Sequence, residues 1–162
     1  MITQVLSHIA PVTLATLTTE ASLLTRLDRK YLLPTNDAAA LLGAVDPRTR
    51  VLEQEGARSF AYESVYFDTA DRVSYHLAAR SRRRRFKLRS RSYVGTETAF
   101  LEMKTRGGRG VTVKERIDYD TENCDRLTAE GREDSADALA GTGLDPGLVA
   151  SLGPALNTRY PR

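Results

Sequence analysis

The 162-residue sequence contains one cysteine, two histidines and no tryptophan. The single Cys124 excludes an intramolecular disulfide and a cysteine-based zinc site, leaving a free thiol. His8 and His76 lie far apart in helix-like segments, so they do not suggest a histidine metal site. No apolar run reaches the roughly 18 residues of a membrane span. The N-terminus lacks the charged n-region of a signal peptide, so a soluble cytoplasmic protein is expected. Neither GxxxxGK[ST] nor GxGxxG occurs, and no credible Ser-His-Asp set is present, so P-loop, Rossmann and triad chemistry have no support. Acid is absent where cations are densest: Arg80 to Arg91 holds eight Arg or Lys and no Asp or Glu.

Hydrophobic content of 41% and charged content of 28% are globular values. The length suits one domain over residues 1–162 with a real core. A net charge of only +3 beside so basic a segment points to a local field and a specific anion site more than to a nucleic-acid coat.

The basic residues fall on alternate positions. Arg85, Lys87, Arg89, Arg91 and Tyr93 alternate with Phe86 and Leu88. Glu102 and Lys104 alternate with Leu101 and Met103, and Lys114 and Arg116 with Val113 and Ile117. Farther upstream, Arg26, Asp28 and Lys30 alternate with Leu27 and Tyr31. A strand sends successive side chains to opposite faces, so each segment predicts a cationic face backed by an apolar one. Strands are expected near 22–33, 60–67, 83–93, 97–105 and 111–120, with another starting at Asn157. Helices are expected after Thr35-Asn36-Asp37, after Asp68-Thr69-Ala70-Asp71, and over Ser135–Ala140 and Asp145–Leu152. Val94-Gly95-Thr96 and Arg106-Gly107-Gly108-Arg109-Gly110 read as hairpin links.

Such a face is costly when empty. Like charges about 7 Å apart along a strand repel by about 2.4 kcal/mol at an effective dielectric near 20. A bound phosphate chain reverses the sign, each charge-assisted hydrogen bond contributing about 1.5–3 kcal/mol. Asp28, Glu102 and Asp118 share the basic faces; carboxylates so placed either pair with neighbouring cations or hold Mg²⁺ or Mn²⁺ against phosphate oxygens. Glu115 has the apolar-side parity. Tyr62, Tyr66 and Tyr93 could mimic a single-stranded nucleic-acid platform, but packing in a core or barrel wall is the better account, and nucleic acid is the lesser partner.

Five segments occur in the order of a known family: Arg26-Leu27-Asp28-Arg29-Lys30-Tyr31, Ser64-Val65-Tyr66-Phe67-Asp68-Thr69, Arg89-Ser90-Arg91-Ser92-Tyr93, Phe100-Leu101-Glu102-Met103-Lys104 and Val113-Lys114-Glu115-Arg116. From about Thr25 to Tyr119 the chain resembles the polyphosphate polymerase (VTC) domain of the CYTH-like, or triphosphate tunnel metalloenzyme, superfamily. The resemblance implies an α+β fold in which an antiparallel sheet curves into a partial tunnel with a basic interior and helices outside. It implies binding of polyphosphate, triphosphate or ATP with Mg²⁺ or Mn²⁺, and transfer of the terminal phosphate of ATP to a growing chain. Hydrolysis of triphosphate, or noncatalytic polyanion binding, are the alternatives. Lys30, Arg89, Arg91, Lys104 and Lys114 would be the catalytic phosphate ligands, joined by Lys87, Arg116 and Arg162; Asp28 and Glu102 would be the metal ligands. The superfamily's ExExK appears here as Arg26-x-Asp28-x-Lys30, without its first carboxylate. The domain would end before the later strands that close the tunnel, and open sheet edges would invite pairing with a second copy.

Overall fold

A computed structural model of the chain describes residues 2–21, 31–106, 110 and 112–161. The chain divides into two compact units, Met1–Phe60 and Ala61–Arg162.

The first unit contains α1 (Ile2–Leu6), β1 (Ala10–Val12), α2 (Leu14–Ala21), α3 (Thr35–Gly43) and β2 (Arg50–Leu52). β1 and β2 pair in parallel, with Pro11 opposite Val51. The Arg58 guanidinium ties this unit together. Its Nη1 donates to the carbonyls of Leu6 and Ile9 at 2.6 and 2.8 Å, and its Nε donates to Glu53 at 2.6 Å. Most of the strand expected over 22–33, with Asp28 and Lys30, lies outside the described residues; Tyr31–Leu33 adopt neither helix nor strand.

The second unit is a five-stranded sheet covered on one face. Its strands are β3 (Ala61–Asp68), β4 (Arg85–Tyr93), β5 (Ala99–Arg106), β6 (Thr112–Tyr119) and β7 (Gly153–Pro161). They lie in the order β6-β5-β4-β3-β7, every neighbour antiparallel. Alternation in β4 and β5 sends Phe86, Leu88, Leu101 and Met103 to one face, where each is at most 2% exposed. They pack with Phe67, Leu127, Leu139, Val149 and Leu152 into the core. Each such side chain contributes about 1.5–3 kcal/mol by leaving water.

Two helices close over this apolar face. α4 (Val73–Ala79) starts where Asp68 accepts hydrogen bonds from the backbone N–H groups of Ser74 and Tyr75 at 2.8 and 2.9 Å. α5 (Ala129–Ala140) is capped by Thr128, whose Oγ1 accepts from the Gly131 N–H at 3.1 Å. A Cβ on Gly131 would lie 2.9 Å from Leu101 Cδ2, so this glycine permits the close approach of helix to sheet.

The α+β class and the antiparallel sheet are therefore as expected, with helices on one side. The partial tunnel is not: among the described residues the sheet is neither closed nor strongly curled. β6 and β7 are its two edges and do not pair with each other. Alternation of side chains specifies two faces but carries no information on closure, which depends on whether the edge strands meet.

Candidate functional site

The face opposite the helices gathers the cations. Register places side chains in lateral rows across β6, β5 and β4: Thr112–Arg106–Arg85, Lys114–Lys104–Lys87, Arg116–Glu102–Arg89 and Asp118–Phe100–Arg91. Neighbours within a row, on adjacent strands, are about 4.8 Å apart, and successive rows about 7 Å. β3 continues the last two rows with Tyr66 and Ser64. Beyond them, Tyr93, Tyr62 and Tyr160 form an aromatic end. On these three strands the face carries eight basic side chains against two acids, Glu102 and Asp118.

Glu102 is the electrostatic centre. It is 4% exposed, and a carboxylate so placed requires cations. One oxygen, Oε2, accepts from Arg89 Nε and Nη2 at 2.7 and 2.5 Å; the other, Oε1, is 2.7 Å from Lys114 Nζ. Burial opposes ionisation, but the hydrogen bonds and charges of Lys114 and Arg89 outweigh it and hold the carboxyl down to about 2.

Arg89, Arg91, Lys87 and Arg116 also rest on polar and aromatic groups. Arg89 Nη1 donates to Tyr66 Oη at 3.1 Å. Burial works against the Tyr66 phenolate, yet Arg89, with Lys87 and Arg91, pulls this phenol below its ordinary value. Arg91, itself buried, donates to Ser64 Oγ at 3.4 Å and Tyr160 Oη at 3.2 Å, and lies over the Tyr62 ring. Lys87 Nζ sits 4.5 Å from the Tyr66 ring centre, and Arg116 covers Phe100 at the same distance. Lys87 and Arg116 are exposed. Beside Lys87 a largely apolar cleft of about 560 Å³ opens between α4 and β7, reaching Tyr75 and Leu156.

A family model, the VTC domain, matches residues 25–146. The chain belongs to the VTC domain family. A comparison with curated proteins finds none that matches. In this VTC domain, six of the residues expected from sequence as phosphate ligands share one face: Lys87, Arg89, Arg91, Lys104, Lys114 and Arg116. Lys30, Arg162 and Asp28 lie outside the described residues. Glu115 has the opposite parity, across from Met103.

Sequence reasoning placed Tyr62, Tyr66 and Tyr93 in a core or barrel wall. The structure puts them on the cationic face, where the Tyr62 ring lies under Arg91, the Tyr66 ring and hydroxyl meet Arg89, and Tyr93 packs against Tyr62 and Phe100. The signal was in the parity: Tyr62, Ser64 and Tyr66 alternate with the core-facing Val65 and Phe67.

Both Glu102 oxygens are engaged, Oε2 by Arg89 and Oε1 by Lys114, so a divalent cation at Glu102 would share these oxygens with them. Among the described residues no three His, Cys, Asp or Glu side chains gather as a metal site. Among the described residues, too, no helix is long and apolar enough to cross a membrane.

Proposed function

We propose that the cationic sheet face binds triphosphate and polyphosphate, and that it holds the terminal phosphate of ATP for transfer to a growing chain. One observation carries the reading: rows of Lys and Arg converge on one open sheet face whose buried acid is already neutralised. Lys114, Lys104 and Lys87 stand side by side across three strands, Lys114 also paired with Glu102. A linear polyanion laid across the row meets cations from all three strands at once.

Phosphoryl transfer asks a protein for positioning and charge stabilisation more than for covalent chemistry. Arg89 and Arg91 are fixed by Glu102, Ser64 and Tyr160 and supply directed donors; exposed Lys87 and Arg116 supply adaptable charge. A second reading, binding without turnover, is favoured by the commitment of Glu102 to cations.

Titration with ATP, triphosphate, long-chain polyphosphate and single-stranded DNA, with and without Mn²⁺, tests both. Chain growth is expected with ATP. Phosphate release without growth would make the protein a triphosphatase, and binding without either would support the second reading. Equal affinity for DNA and polyphosphate would overturn the phosphate-specific face. The variant Lys87→Ala/Arg116→Ala leaves the Glu102 cluster intact; it is expected to weaken triphosphate binding at least about tenfold, the loss of two charge-assisted contacts.

A further inference from the structure

Building on the polyphosphate-binding reading, we infer that the arginine-rich link between α4 and β4 receives the part of a long chain that runs past the sheet, so that long polyphosphate is held better than triphosphate. The link holds Arg80, Arg82, Arg83 and Arg84, all exposed. Among the described residues, none of the four forms an ion pair. Four uncompensated guanidinium groups within one turn form a local anion-attracting field.

Two observations join this link to the cationic face. Arg85, the first residue of β4, donates from Nη1 to the Arg82 carbonyl at 2.8 Å, so the link continues directly from the outermost row. In that row Arg85 stands opposite Arg106, and Arg106 Nε is buried without a hydrogen-bond partner among the described residues. Two opposed guanidinium groups and an unmet donor are a poor arrangement without an anion between them. The aromatic end, Tyr93–Tyr62–Tyr160, lies at the other end of β4. The face is therefore polar in its chemistry, and a chain too long for it leaves over the arginines. The link also keeps its place: Arg84 Nη1 lies 3.4 Å from the Gly143 carbonyl, beyond α5. Arg82-Arg83-Arg84 offers no apolar side chain for insertion into a bilayer, which favours a soluble polyanion.

The test compares the unmodified protein with Arg82→Ser/Arg83→Ser, whose side chains are exposed. Affinities for triphosphate and for polyphosphate of about a hundred phosphates are measured over a range of salt. The unmodified protein is expected to prefer the long chain. The variant is expected to keep triphosphate affinity within about twofold, to lose roughly tenfold on the long chain, and to show a salt slope lower by about one for each lost contact. Triphosphate binding by both proteins with no preference for length in the unmodified one would overturn this inference and leave the binding face standing. A length preference unchanged in the variant would do the same. If the variant instead lost adsorption to phosphatidylserine vesicles while keeping its long-chain affinity, the link would belong to a membrane surface and the inference would fail. An unmodified protein that binds no triphosphate would overturn the face itself.

Discussion

At the scale of single residues, Glu102 sets the balance of the face. Its carboxyl titrates at about 2 in the folded chain, against 4.5 ordinarily. A depressed folded value means that stability is fully present above 4.5 and is lost as pH falls through 2. The shift corresponds to about 3 kcal/mol. Urea unfolding between pH 6 and pH 2 is expected to show this loss, and Glu102→Gln is expected to be less stable at pH 7 by about 3 kcal/mol, because Arg89 and Lys114 lose their common partner. The same variant removes a negative charge from the face and should bind triphosphate more tightly, so stability and affinity move in opposite directions. Tyr66 offers a second readout. Absorbance titration should find one phenol below the ordinary range, absent in Tyr66→Phe, and bound phosphate should raise it by offsetting the charge of Arg89.

At the scale of elements, the legible parts of the fold were those with a strict period. β3 to β6 lie where alternation placed them, because apolar residues on one side meet the core and charged residues cannot. Asp68 caps α4 as its sequence suggests. α5 begins at Ala129 rather than Ser135, because Gly131 and the charged first turn hide its helical period. α3 begins at Thr35 with Pro34 at its cap and no side-chain hydrogen bond, so the predicted Asn and Asp capping is not used. β7 starts at Gly153; its pairing with β3, which no local pattern announces, defines it. Gly131→Ala tests the contact of α5 with the sheet. Helix propensity favours alanine by about 1 kcal/mol, but a Cβ 2.9 Å from Leu101 and 3.2 Å from Tyr119 must displace both. Overpacking typically costs about 1–3 kcal/mol, so thermal unfolding is expected to show a net loss of up to about 2 kcal/mol.

At the scale of the molecule, the cationic face was legible and its shape was not. Lys87, Arg89, Arg91, Lys104, Lys114 and Arg116 converge because parity and antiparallel register together fix their side of the sheet. Closure depends on how β6 and β7 are placed, and no single strand encodes that. Tyr62, Tyr66 and Tyr160 were not recognised as supports because aromatic residues are as common in cores as beneath guanidinium groups. Ligand linkage gives a test for the whole chain. Polyphosphate at about a hundred times its Kd should stabilise the fold by about 2.7 kcal/mol and raise the unfolding midpoint by roughly 5–10 °C. High salt should erase most of that gain; a midpoint that ignores polyphosphate at low salt would count against the binding face.

The double engagement of Glu102 has a kinetic consequence. On the proposed reading, a phosphate reaching Arg89 and Lys114 competes with a resident carboxylate that stays within reach. As the phosphate departs, the carboxylate retakes its cations, which lowers the barrier to release. A bound chain would then shift across the strands in small increments instead of stalling where the cations are densest.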